Sequence, residues 1–431
     1  MKKLFKRILI TLGVLALLAV IGIAVVVYLA EHDAYVAYKQ GNYEKALALY
    51  RIDADKGDAT AQNVLGIMYE QGQGVQKDFE KAVDWYRLAA EQGHMNAQYN
   101  LGMMLRDGMG INRDMRLAFG WFMRSAEQGL AVAQNEVGTC YANGEGVARD
   151  VVQAALWFRK AAEQGNPWGQ YNLGALYWDG EGVTQDQTLA IDWYRKSAEQ
   201  GNTYAQVALG YGYESGFGVA QDYAQALVWY QKAAAQGFVD AYQHLGVVYS
   251  NGWGVVEDQA QAATWYRKAA DAGHVDAQNN LAALYERGQG VGKDMEQAAQ
   301  WYRKAADKGQ ADAQYNLGRL YEEGSGVAQD PERAIEWYRK AAEQGQVDAQ
   351  FALGLAYDEG LGVVQSNAKA LQWYTKAAAQ EHADAQHNLG ALYDQGRGVP
   401  QDVDKAVDWY RKAASNGYAG SKVLRRPAEA Q

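Results

Sequence analysis

Residues Ala313–Gly345 read AQYNLGRLYEEGSGVAQDPERAIEWYRKAAEQG, and related stretches fill most of the chain. The most regular marker is a tryptophan that recurs every 36 residues without an insertion or deletion: Trp85, Trp121, Trp157, Trp193, Trp229, Trp265, Trp301, Trp337, Trp373 and Trp409. An aromatic residue follows each tryptophan, and paired glycines such as Gly324 and Gly326 recur with the same period. A fixed period of this length is the signature of a repeat protein. Ten full units therefore cover residues 58–417.

Each unit is predicted to contain two helices. In the first unit, apolar residues at i, i+4, i+7 and i+8 define one face of a first helix: Ala61, Leu65, Met68 and Tyr69. Gly72 can end that helix in the left-handed conformation, and Asp78 can cap the free amides of a second helix. The inner face of the second helix is predicted from five residues: Ala82, Trp85, Tyr86, Ala89 and Ala90.

One such hairpin cannot bury its apolar face alone, whereas stacked hairpins bury it continuously. The alanines allow close approach of helix backbones, and the pair of Trp and its following aromatic is expected to fill the space between hairpins. The sequence therefore predicts an all-α solenoid of ten 36-residue helix-hairpin repeats.

The N-terminal segment is of a different kind. Its first seven residues include four basic side chains, and residues 8–30 are uncharged. A helix of that length spans about 34 Å, enough for the core of a bilayer. We therefore expect residues 1–30 to form a cytoplasmic basic leader and a single transmembrane helix, with the body in the periplasm, outside the bacterial inner membrane. A cleavable signal peptide is the alternative, which the length of the apolar run disfavours.

The segments on either side of the repeats are interpreted as caps. Residues 31–57 form a degenerate tetratricopeptide-like capping unit, because alanine, tyrosine and glycine stand 36 residues before their counterparts in the first full unit: Ala46, Tyr50 and Gly57. A helix over Glu31–Lys39 is expected to continue from the membrane helix. Residues 418–431 begin an eleventh unit and abandon it, with Arg425 in place of the core leucine.

The amino-acid composition excludes several classes of protein. The chain has 431 residues, 48% of them hydrophobic, which excludes a disordered protein. Its single cysteine excludes an intramolecular disulfide framework. Residues 1–30 hold four of the 41 basic side chains and no acidic one, so the rest has 37 bases against 51 acids. This acidic body argues against nucleic-acid binding.

The pattern Ala-Gln-x-x-Leu-Gly-x-x-Tyr-x-x-Gly-x-Gly-Val at Ala313–Val327, followed by Asp330, Ala334 and Trp337–Gly345, closely resembles the Sel1-like repeat family, a relative of the tetratricopeptide repeats. The resemblance covers residues 58–417. It implies a right-handed α-solenoid whose first helices line a concave surface, and it implies an adaptor or scaffold role. One disulfide-rich branch of the family has been linked to β-lactam binding, but its paired cysteines are missing here.

The chain contains histidines and a cysteine, residue types that are often catalytic, but their spacing matches no known catalytic motif. No two histidines have the i, i+4 spacing of a zinc protease. Cys140 occupies a core position that is filled elsewhere by Met68 and Leu176, which predicts a buried thiol. Residues 288–293 faintly resemble a phosphate loop but lack its spacing and its Ser or Thr. We therefore predict no enzymatic activity, no cofactor and no metal site.

A partner is expected to contact the positions of the first helices that vary between units and point away from the core face. Aromatic and arginine side chains are the usual anchors of protein interfaces. The candidate partner-binding residues are Tyr99, Arg106, Tyr171, Trp178, Tyr211, Glu214, Tyr315, Arg319 and Phe351. Further aromatics enrich units four to six: Trp168, Tyr204, Phe217, Phe238 and Trp253.

The sequence thus favours a membrane-anchored scaffold of the bacterial envelope that holds a protein or peptide in a groove. A glycan- or peptidoglycan-binding envelope protein, with weak hydrolytic activity, is the alternative, because aromatic rings also stack on sugars.

Overall fold

A computed structural model describes residues 33–418 of the chain. These residues form 22 helices and no strand, which confirms the predicted fold class. The helices, numbered here in chain order, are α1 Ala34–Lys39, α2 Tyr43–Asp55, α3 Ala59–Gln71, α4 Phe79–Glu91, α5 Met95–Asp107, α6 Met115–Glu127, α7 Ala131–Asn143, α8 Val151–Glu163, α9 Pro167–Asp179, α10 Gln187–Glu199, α11 Thr203–Ser215, α12 Tyr223–Ala235, α13 Val239–Asn251, α14 Gln259–Asp271, α15 Val275–Arg287, α16 Met295–Asp307, α17 Ala311–Glu323, α18 Pro331–Glu343, α19 Val347–Glu359, α20 Asn367–Ala379, α21 Ala383–Gln395 and α22 Val403–Ser415.

The described residues fall into two compact units. The first unit comprises residues 33–212 and 216–220, and the second comprises residues 213–215 and 221–418. Within each unit, consecutive helices pack as hairpins, and the second helix of one hairpin packs against the first helix of the next. Each unit is therefore a stack of hairpins.

The predicted helix ends are confirmed. Gly72 follows α3 in the left-handed conformation, with φ of 73°. Asp78 accepts a hydrogen bond from the Lys81 amide at the start of α4. Ser366 caps α20 in the same way, and Glu381 is the one non-glycine residue with positive φ between residues 33 and 418. The αL position is strained for a side chain, so glycine is preferred there.

Within a hairpin, the aromatic residue of the second helix packs onto a glycine of the first. A Cβ atom on Gly66 would lie 2.5 Å from the Tyr86 ring, and a Cβ atom on Gly102 would lie 2.5 Å from the Phe122 ring. Both rings are fully buried. The small residue therefore makes the space that the ring fills, and the two helices depend on each other for packing.

The repeated tryptophan is less deeply buried than the aromatic residue that follows it. Trp85 is half-buried, whereas Tyr86 is fully buried. A cation three residues later covers the indole in most repeats: the Nζ atom of Lys160 lies 3.7 Å from the Trp157 ring centroid, and that of Lys304 lies 3.6 Å from the Trp301 ring centroid. The basic residues near the ends of the second helices thus gain a cation–π contact in addition to the helix dipole.

A buried glutamine joins successive hairpins. The Gln62 side chain donates to the carbonyl of Ala54 at 3.1 Å, and the Gln92 side chain donates to Gln62 Oε1 at 2.7 Å. The same pair of bonds recurs at the next hairpin junction, through Gln98 and Gln128. We call this series of bonds the glutamine ladder. It satisfies carbonyls at helix ends that would otherwise be buried without a partner.

The expected helix over Glu31–Lys39 begins instead at Ala34. Asp33 adopts an extended conformation, and its carboxylate accepts hydrogen bonds from the amides of Tyr35 and Val36. The predicted leader and transmembrane helix, residues 1–30, lie outside the described residues, as does most of the C-terminal segment 418–431. From residue 33 to residue 418, no helix combines the length and apolar character that crossing a membrane requires.

Candidate functional site

The nine candidate partner-binding residues all lie on first helices of hairpins, but they are divided between the two units. The first unit holds Tyr99 and Arg106 on α5, Tyr171 and Trp178 on α9, and Tyr211 on α11. The second unit holds Glu214 on α11, Tyr315 and Arg319 on α17, and Phe351 on α19. The structure therefore does not establish one surface that contains them all.

Most of these side chains contact the core instead of pointing away from it. Tyr211 is exposed, and the other eight are half-buried. Each aromatic residue at the Tyr99 position packs on the buried ring of its own hairpin. The ring centroids are 5.9 Å apart for Tyr99 and Phe122, 5.7 Å for Tyr171 and Tyr194, 5.7 Å for Tyr315 and Tyr338, and 5.9 Å for Phe351 and Tyr374.

The two candidate arginines form ion pairs with the preceding or following hairpin. Arg106 Nη1 lies 2.9 Å from Glu136 Oε2, and Arg319 contacts Glu286. The hydrogen bond to Asp107 is the largest cause of a raised pKa for the Arg106 guanidinium. Burial raises the pKa of the Glu136 carboxyl despite its arginine partner. These charges therefore link hairpins together.

The Glu214 carboxylate also interacts with neighbouring side chains. Its Oε2 atom accepts a hydrogen bond from the Tyr230 hydroxyl at 2.8 Å, and His244 Nδ1 lies 3.9 Å away. Burial raises the pKa of the Glu214 carboxyl, and the Tyr230 hydrogen bond opposes that rise.

In the first unit, seven aromatic rings form a connected group, which we call the aromatic cluster. Its members are Trp168, Tyr171, Trp178, Tyr194, Tyr204, Tyr211 and Phe217. Trp168 lies 5.5 Å from Tyr204, and Trp178 lies 6.0 Å from Tyr211, as measured between ring centroids. Both indoles reach the buried Tyr194, Trp178 directly at 6.3 Å and Trp168 through Tyr171.

Four rings of the aromatic cluster remain exposed to solvent: Trp168 and Tyr204, which contact each other, and Tyr211 and Phe217, which both contact Trp178. The exposed fractions are 47% for Trp168, 45% for Tyr204, 41% for Tyr211 and 47% for Phe217. Clustered exposed aromatic side chains of this kind mark interaction sites. The aromatic enrichment of units four to six was visible in the sequence, but Trp253 belongs to the second unit, where it stacks on Tyr223 at 5.4 Å.

The residues of possible catalytic type serve packing and capping. Among residues 33–418, no three His, Cys, Asp or Glu side chains are grouped to hold a metal ion. His94 Nδ1 accepts a hydrogen bond from the Ala97 amide at 3.2 Å, and His274 and His382 cap their helices in the same way. Cys140 is buried as predicted, and burial raises the pKa of its thiol to about 12. A thiol with such a pKa is a poor nucleophile.

Stacked helical hairpins with a constant core and variable first helices define a repeat protein that acts through its surface. The sequence model of the Sel1 repeat family matches eleven successive segments of this chain, from residues 34–58 to residues 383–418. The chain therefore belongs to the Sel1 repeat family. Proteins of this family act in general as protein-interaction scaffolds. The first and shortest match falls on the segment that the sequence suggested as a capping unit.

Two solved structures support the assignment. One is a protective antigen of uropathogenic Escherichia coli that displays an SLR fold; it is 42% identical, with a TM-score of 0.72, over 85% of this chain and 79% of that chain. The other is a Sel1 repeat protein from Oxalobacter formigenes, 34% identical with a TM-score of 0.55, over 73% of this chain and 91% of that chain. No curated protein matches the sequence.

Proposed function

We propose that this protein is a membrane-anchored interaction scaffold of the bacterial cell envelope, which binds a protein or peptide partner on the aromatic cluster. The observation that carries the proposal is the exposure of four rings of one connected cluster on a well-packed repeat frame, where Trp168 contacts Tyr204 and Trp178 contacts both Tyr211 and Phe217. Burying such rings against a partner contributes favourable free energy to binding, because aromatic side chains have large apolar area and little conformational freedom to lose.

The cluster is preformed for this role. Tyr194 is 5% exposed and lies beneath Tyr171 and Trp178, so the exposed rings are held by a rigid base. A preformed site loses less entropy on binding than a flexible one. The partner is expected to contribute apolar side chains that cover the rings.

The envelope location rests on the sequence and on a relative. The basic leader and the uncharged stretch 8–30 favour an anchor with the repeats on the outer side of the inner membrane. The E. coli relative is a protective antigen, which is consistent with a position that reaches the outside of the cell.

Site-specific photo-crosslinking tests the binding surface. A photoreactive amino acid at Tyr204, in the aromatic cluster, is expected to give a discrete adduct with one partner in cells. The matched control is Leu156 on α8, which is 49% exposed but lies on a second helix. The variant Trp178→Ala should remove the adduct formed from position 204. Equal adducts from both positions, or an adduct unaffected by Trp178→Ala, would contradict the proposal.

Reporter fusions test the location separately. Alkaline phosphatase fused after residue 418 should be active, and it should lose activity when residues 1–30 are deleted. An active cytoplasmic reporter at the same fusion point would place the repeats inside the cell and refute the proposed orientation.

Glycan binding remains the second candidate because exposed Trp168 and Tyr204 rings could also stack on sugar rings. A pull-down with purified peptidoglycan distinguishes the two functions. Retention that is lost in Trp168→Ala, without a crosslinked protein, would favour the glycan.

A further inference from the structure

The second unit contains a pocket between the hairpin α17–α18 and the hairpin α19–α20, separate from the aromatic cluster. Its volume is about 260 Å³. The apolar part of the wall includes Pro331, Ile335, Ala356 and Leu361, and the polar part includes Glu322 and Tyr338. The loop residue Gly362 closes one side, since a Cβ atom there would lie 2.6 Å from the Pro331 carbonyl.

The pocket has a specific cause in the sequence. Most repeats place a bulky residue at the position of Ala356: Met68, Met104, Leu176, Leu284, Leu320 and Leu392. Gly212 in the first unit is smaller still, but there the Ile191 side chain occupies the space where a Cβ atom of Gly212 would be. Ile335 is the counterpart of Ile191, and it leaves space beside Ala356.

The carboxylate in the pocket wall lacks the cation that its neighbours have. Glu286 in the preceding hairpin contacts Arg319, and Asp358 in the following hairpin pairs with Arg397 at 2.6 Å. Glu322 accepts a hydrogen bond from the Tyr338 hydroxyl at 2.5 Å and forms no ion pair with any described residue. An apolar pocket therefore has one uncompensated negative charge at its edge.

We propose that this pocket binds a small organic cation with a compact apolar body, of the arylmethylammonium type. A dry apolar cavity of roughly 150 Å³ already admits benzene, so this pocket has room for a ring with one substituent. The ammonium group would pair with Glu322, whose exposed side chain leaves the pair partly screened by solvent, so the ring in the apolar pocket supplies most of the affinity. This inference does not depend on the partner proposed for the aromatic cluster.

Fluorine NMR of 4-fluorobenzylamine with the full chain in detergent tests the proposal. We expect saturable line broadening with an affinity on the order of 1 mM, and about fivefold weaker binding of the neutral 4-fluorobenzyl alcohol. Ala356→Leu should abolish the broadening, because leucine fills the same position in other repeats. A thermal scan of this variant should show an unchanged or raised midpoint, which excludes unfolding as the cause.

Glu322→Gln removes the negative charge but keeps the shape of the pocket, so it tests the contribution of the charge alone. It should leave amine and alcohol binding equal within about twofold. The matched control Glu70→Gln removes a carboxylate that also accepts a tyrosine hydroxyl, from Tyr86 at 2.5 Å, and it should change nothing. Absence of saturable amine binding, unchanged binding in Ala356→Leu, or an unchanged amine preference in Glu322→Gln would each overturn the proposal.

Discussion

The first helices of the two units present different surfaces on the same frame. In the first unit, α9 and α11 carry five of the seven rings of the aromatic cluster, and four rings of the cluster are exposed. In the second unit, α15 and α17 are joined by the contact between Glu286 and Arg319, and the Tyr315 ring packs on Tyr338. Gly174 and Gly318 receive the buried tyrosine of their hairpins in the same way. The frame is therefore common to both units, and differences in function must come from the variable positions.

The largest expected effect tests whether the frame is the same in both units. Phe122→Ala in the first unit and Tyr374→Ala in the second each remove a fully buried ring. Each should cost about 3–5 kcal/mol, because a cavity remains between the two helices. Hydrogen exchange resolved by hairpin is the suitable measurement, since repeat stacks unfold in parts. A large loss in one unit and a small one in the other would show that the frames differ.

The pH dependence of stability tests the role of His244 in the second unit. His244 stacks on Tyr230 at 4.5 Å, near Glu214, Asp240 and His274, and burial lowers its pKa to about 4. The unfolded chain therefore takes up this proton at higher pH than the folded chain. Stability should fall by up to about 3 kcal/mol as the pH drops from 6.5 towards 4.

The matched variant for this titration is His244→Asn, because Asn100 and Asn172 occupy the same repeat position. It should flatten the stability profile between pH 6.5 and 4. A profile as steep as that of the wild type would assign the pH dependence to other groups, including Glu214.

The glutamine ladder differs between the two units, and a substitution that completes it in the second unit is expected to increase stability. In the first unit, Gln200 donates to Gln170 Oε1 at 2.8 Å, whereas in the second unit Lys308 replaces the donor and the buried Gln278 Oε1 has no hydrogen-bond partner within residues 33–418. Lys308→Gln should restore the bond and stabilise the second unit by about 0.5–1.5 kcal/mol. Denaturant unfolding measures the gain, with Gln344→Ala as the control that should destabilise. A neutral or destabilising Lys308→Gln would contradict the assigned role.

The smallest effect on stability is expected at the aromatic cluster. Trp168→Ala should change the free energy of unfolding by about 0.5 kcal/mol or less, since the indole is 47% exposed. It should still weaken partner crosslinking from position 204. A large loss of stability with normal crosslinking would mean that the ring serves packing alone.

The sequence predicted features that repeat within one hairpin and missed those that join hairpins. The 36-residue period, the Gly72 and Asp78 caps and the burial of Cys140 follow from local pattern. The Gln62–Ala54 bond joins adjacent hairpins, and Gln62 accepts a second bond from Gln92, 30 positions further along the chain, so helical periodicity gives no sign of this network.

The depth at which individual side chains are buried could not be predicted from the sequence periodicity either. On a single helix the position of Tyr99 faces away from the core, but the neighbouring helix of the hairpin places Phe122 beneath it. Likewise, Trp85 and Tyr86 look equivalent in sequence, but Tyr86 packs onto Gly66 of the facing helix and is buried more deeply.

The glutamine ladder has a consequence for how such a chain changes over evolutionary time. Each ladder glutamine donates to a carbonyl of the preceding hairpin, eight residues earlier, and accepts from a residue of its own hairpin, 30 residues later. Duplication or excision of one whole period by recombination therefore rejoins matching groups at the new junction, whereas a shift of any other length leaves buried amides unmatched. Array length can change in steps of one repeat while loop length stays fixed, which accounts for nine consecutive tryptophan spacings without an insertion.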